Sequence, residues 1–95
     1  MKDYLKFAVN TILFLQRISN YPESRIVKLQ LAKSATSSGA NYEESQAASL
    51  KADFSNKKNI PLIEMRESNY WFRILSETKL GDREECKNLL MNPVN

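Results

Sequence analysis

The chain contains no histidine, a single cysteine, two glycines and three prolines among its 95 residues. Each shortage excludes something. Without imidazole, the commonest general base near neutral pH is missing. Ser-His-Asp and Cys-His catalytic arrangements are therefore impossible. A lone Cys86 allows neither an internal disulfide nor a thiolate metal cluster. Gly39 and Gly81 stand far apart, so glycine-rich phosphate and dinucleotide loops are excluded. So little turn chemistry also argues against a many-stranded sheet.

No apolar run approaches the roughly 20 residues that span a bilayer, so a membrane role is not expected. Lys2, Asp3 and Lys6 are not followed by the apolar stretch and small-residue cleavage site of a secretion signal. Cytoplasm is the expected location. Hydrophobic residues make up 42 % and charged residues 26 %, with a net charge of +3. That composition fits a folded domain and only mildly favours polyanions.

What the chain does have is helical periodicity. It predicts one all-α domain over 1–95, an up-down antiparallel four-helix bundle with a short fourth helix. The first helix is expected from about Tyr4 to Ser19. Leu5, Val9, Ile12 and Gln16 form one line, with Leu13 beside it, while Phe7, Phe14, Leu15 and Ile18 widen the apolar surface. A helix so apolar all round should meet both its own core and a neighbouring subunit.

The second helix is expected from about Pro22 to Glu44, with Pro22 in the first turn. It has two candidate faces. One line is Ile26, Leu29, Lys33, Thr36 and Ala40; its neighbour is Val27, Leu31, Ala35 and Ser38. Every residue from Ser34 to Ala40 is small, which permits close approach of another helix. Gly39 either serves that approach or breaks the helix.

The third helix is expected from a cap at Ser49 to about Thr78, with Phe54, Pro61, Met65, Ser68, Phe72 and Leu75 on one face. Pro61 would kink it between Lys57 and Pro61, or divide it into two. The fourth starts at Asp82, with Glu85 three residues on in capping-box spacing. It should be stubby, leaving a strip of the bundle uncovered as a contact surface.

Candidate chemistry is sparse. Cys86 falls on the apolar side of the last helix and reads as a buried structural thiol. Glu43, Glu44, Glu64, Glu67 and Glu77 could form an oxygen-only Mg²⁺ site, making a metal-dependent enzyme an outlying alternative. Bundle dimetal centres need Glu-x-x-His pairs, and there are none. No catalytic residues and no cofactor are expected.

The candidate nucleic-acid residues are Lys51, Lys57, Lys58, Arg66 and Arg73, supported by Lys28, Lys33 and Lys79. Tyr70, Trp71 and Phe72 lie between the two arginines, and aromatics interleaved with cations can stack on unpaired bases. Interspersed Asp53, Glu64, Glu67 and Glu77 would blunt such a stripe. Phe72 is also core by periodicity, and Tyr70 or Trp71 could fill a subunit seam.

The run Leu31-Ala-Lys-Ser-Ala-Thr-Ser-Ser-Gly-Ala-Asn-Tyr-Glu-Glu44, followed by Ser45-Gln-Ala-Ala-Ser49, Asp53-Phe54 and Asn69-Tyr-Trp-Phe-Arg-Ile-Leu75, resembles the bacterial four-helix-bundle family known as ribosomal protein S23 or 23S rRNA intervening-sequence proteins. The resemblance covers roughly residues 5 to 90. It implies bundles that assemble into a closed ring, often a pentamer, with no established activity for most members. It would place Ala35, Ala40 and Asn41 at tight packing positions of the second helix. Glu44, Asp53 and Phe54 would mark the polar turn and the start of the third. The chain departs from that pattern at Pro61 and in its short final helix. The expected function is thus a non-enzymatic, self-assembling scaffold or partner-binding module, a homo-oligomer. RNA or DNA binding by helices two and three is the alternative.

Overall fold

The computed structural model describes residues 3–50 and 60–90. They form four helices: α1 Tyr4–Leu15, α2 Pro22–Leu50, α3 Ile60–Glu77 and α4 Arg83–Leu89. These make the expected all-α, up-down bundle. Around the bundle, α1 packs on α2, α2 on α3, α3 on α4 and α4 on α1.

Asp3 caps α1 by accepting the Lys6 N–H at 2.9 Å. The helix ends at Leu15, short of the expected Ser19. There the chain tightens, with Arg17 N–H donating to Phe14 O and Ile18 N–H to Leu15 O, each at 3.1 Å. This tighter turn keeps Ile18 in the core. Pro22 opens α2 as predicted. Ser24, fully buried, joins the connection by accepting the Tyr21 N–H at 2.7 Å and donating to Ser19 O at 2.6 Å. Lys28 secures the same corner through Ile18 O and Asn20 Oδ1, so its ammonium is a structural donor.

α2 does not stop near Glu44 but continues to Leu50. Nothing from Ser45 to Leu50 breaks a helix, and Gln46, Ala47 and Ala48 favour one. Ser49 therefore lies inside α2 and is not the cap of α3, and Glu44 is not in a turn. α3 instead begins at Ile60, with Pro61 in its first turn, where its missing N–H breaks no helical bond. From Ile60 to Glu77 α3 runs without a break. Asp53, Phe54 and the Lys57 side of the expected kink lie outside the described residues.

Of the two candidate faces on α2, the core takes Val27, Leu31, Ser34, Ala35 and Ser38. Small side chains decide the matter, because they let the flanking helices come close. Ser34 and Ser68 share a hydrogen bond of 2.8 Å between α2 and α3. Asn41 donates to Glu64 Oε1 at 2.8 Å across the same seam. Gly39 does not break the helix. A Cβ there would stand 3.2 Å from the Tyr4 Cβ, so glycine serves the α1–α2 approach. Ala40, by contrast, is exposed, against the tight-packing role the family resemblance gave it.

Phe14 and Phe72 lie at the centre of the core, 5.7 Å apart between ring centroids, with Phe7 6.3 Å from Phe72. Gly81 closes one end: a Cβ there would lie 2.8 Å from Phe14 Cζ. Beside this ring cluster, Thr11 is completely buried and its hydroxyl has no hydrogen-bond partner. An unsatisfied buried hydroxyl is destabilising, and valine matches its shape without it. Thr11→Val should raise unfolding stability by about 1 kcal/mol, read as a higher urea midpoint at unchanged slope.

Candidate functional site

Two surfaces stand out, and they lie on opposite edges of the bundle. The first is the outer face of α1 and α2. The core side of α1 is Phe7, Thr11, Phe14 and Leu15. At 100° per residue, Leu5, Val9 and Ile12 point the other way. Leu5 is 76 % exposed, Val9 47 % and Leu13 52 %. On α2 the line not used by the core carries Ile26 at 62 % and Leu29 at 65 %. The two lines meet in a shallow hollow of about 600 Å³ bordered by Leu5, Ala8, Thr36, Ala40 and Glu43. The expectation that α1 would be apolar on both sides therefore holds, and its outer side is uncovered in the single chain.

The second surface is the groove between α3 and the two-turn α4. Asp82 caps α4 by accepting the Glu85 N–H at 2.9 Å, as the spacing predicted. The helix is shorter even than expected, and it leaves the flank of α3 open. Arg66, Asn69, Tyr70, Arg73 and Leu90 border one hollow of about 290 Å³. Arg73 and Leu90 also border the next, of about 390 Å³, with Phe72 and Cys86 at its floor and Arg83 and Lys87 at its rim. The two hollows are thus consecutive parts of one groove.

Charges that alternate along the sequence of α3 are sorted in space. Glu64 turns to Asn41 on α2, and Glu67 accepts the Trp71 indole N–H at 3.2 Å. On α4, Glu85 pairs with Arg17 of α1. Arg66, Arg73, Arg83 and Lys87 gather along the groove. Glu77 is the carboxylate there, bonded to Arg83 at 3.0 Å. Of the candidate nucleic-acid residues, Arg66 and Arg73 are brought together, both exposed. Lys51, Lys57 and Lys58 lie outside the described residues. Arg83 and Lys87 were missed in the sequence; their four-residue spacing on one side of α4 was the available signal.

Among the described residues, no three His, Cys, Asp or Glu side chains come together as metal ligands. No helix among them is long and apolar enough to cross a membrane. Cys86 is buried. Burial first, then the carboxylates of Asp82 and Glu85, push its thiol up to about 11. Its thiolate population at neutral pH should fall about a hundredfold below that of an ordinary thiol. Folded protein should accordingly react with an aromatic disulfide reagent at least that much more slowly than protein in urea. The raised value also fixes a sign. Its contribution to stability is complete below pH 9, the ordinary value, and is lost as pH rises toward 11.

The chain matches no protein-family model, no curated protein and no solved structure.

Proposed function

We propose that this protein is a non-catalytic, self-assembling interaction module whose outer α1–α2 face is covered by a second copy of the chain. The observation that carries this is the exposure of five large apolar side chains, Leu5, Val9, Leu13, Ile26 and Leu29, on adjoining helices. Exposed large apolar side chains in such number on two adjoining helices mark association surfaces. The spacing is that of a helical face: four and four residues on α1, three on α2. A small single-chain core gains from such burial.

Charge placement favours a like partner. Asp3 and Glu43 stand at one end of the hollow. Arg25, on the same side of α2 as Leu29, Thr36 and Glu43 by spacing, stands toward the other. A copy turned end for end sets each acidic end against a basic one. Lys33 is the charge midway, and its long stem lets the ammonium reach water at the seam's edge. A closed ring of five is the arrangement implied by the resemblance to S23 bundles.

Sedimentation equilibrium at micromolar concentration tests the reading. A mass twice that of one chain supports the end-for-end pair, and five times supports the ring. A species that stays single at tens of micromolar removes self-assembly altogether. Because the seam is apolar, the association should persist in 0.5 M salt.

A further inference from the structure

We propose that the α3–α4 groove binds single-stranded nucleic acid, with phosphates on Arg66, Arg73 and Lys87 and a base laid against Tyr70. The inference is independent of self-assembly, since it uses the opposite edge of the bundle. Arg66 and Arg73 are two turns apart, about 10 Å along α3. Arg83 and Lys87 continue the series one turn apart on α4. A single anionic head group needs one cluster of cations. Arg66, Arg73 and Lys87, strung along a groove, answer an anion that repeats.

The apolar component selects among repeating anions. Tyr70 is 56 % exposed and held by edge contact with Trp71, 5.1 Å between ring centroids. The floor of the adjoining hollow is Phe72, Cys86 and Leu90. Flat rings find a stacking surface on the exposed Tyr70, with Leu90 41 % exposed beside it, worth a sequence-tolerant gain in affinity per base. A duplex keeps its base faces covered and offers only phosphates. Polyphosphate offers no ring at all. An unpaired strand uses both halves of the groove. Glu77 does not oppose this strongly, because Arg83 already neutralises it at 3.0 Å.

Fluorescence anisotropy with labelled 12-nucleotide oligo(dT) and oligo(U), a duplex of equal length and polyphosphate as competitor tests the proposal on the full chain. Single strands, of either sugar, should bind about tenfold or more tightly than the duplex. Affinity should fall with salt at a log–log slope of about −2, as three neutralised phosphates require. Arg66→Glu with Arg73→Glu should abolish binding. Tyr70→Ala should weaken it at least about fivefold while leaving the slope unchanged, since stacking releases no counterions. These side chains are exposed, so unchanged melting curves will show that the variants fold. Equal binding of duplex or polyphosphate, an unaffected Tyr70→Ala, or binding that survives the loss of both arginines would each overturn the assignment.

Discussion

If the outer α1–α2 face is the proposed seam, Leu5→Lys combined with Leu29→Lys should leave only single chains. Both side chains lie on the outer α1–α2 face, 76 % and 65 % exposed in one chain. The proposed assembly would bury them, and an unpaired ammonium in an apolar seam costs several kcal/mol. With two such groups per chain, association should weaken by about a thousandfold or more. The fold itself should barely notice, because substitutions of exposed side chains usually change stability by no more than about 0.5 kcal/mol. The discriminating pair of measurements is a sedimentation mass reduced to one chain and a far-ultraviolet melting profile still helical and cooperative. An unchanged mass would locate the seam elsewhere on the surface.

Phe72→Ala should have the largest effect on the fold. Its ring is completely buried and meets both Phe14 and Phe7. Replacing such a ring by a methyl group removes about 3–5 kcal/mol. A small domain holds only about 5–15 kcal/mol in total. The variant should therefore be partly or wholly unfolded near 37 °C, read as loss of helical ellipticity and a sharply lowered urea midpoint. Phe72→Leu, which keeps most of the volume, should lose much less. Equal behaviour of the two would mean that the ring cluster is not the centre of the core.

The helices were legible because their apolar residues recur every three or four positions, and Pro22 and Asp82 announced their helix starts. Which face of α2 would be buried was not legible. The Ile26 line and the Val27 line have the same period, and each opens on two large apolar residues. Packing chose the second because Ser34, Ala35 and Ser38 let helices approach where Lys33 and Thr36 would hold them apart. The end of α2 was misread because the acidic pair Glu43-Glu44 resembles a turn, whereas only glycine, proline or a competing cap stops a helix firmly. The basic groove was half visible. Arg66 and Arg73 carry the seven-residue spacing of one helical face. Their acidic neighbours seemed to cancel them until 100° of rotation per residue turned Glu64 to Asn41 on α2 and Glu67 to the Trp71 indole on α3 itself. The contribution of α4 depends on how that helix sits against α3, a tertiary fact that no local pattern encodes.

The square arrangement of the bundle sets its two surfaces back to back. Every chain that joins through α1 and α2 leaves its α3–α4 trough pointing away from the seam, so an assembly presents several identical troughs at fixed separations. A long strand held in one trough would meet the next at an effective concentration near millimolar, given enough slack to reach it. Weak contacts per chain would then add up to tenacious holding of long polymers and quick release of short ones, with subunit number acting as a ruler for strand length.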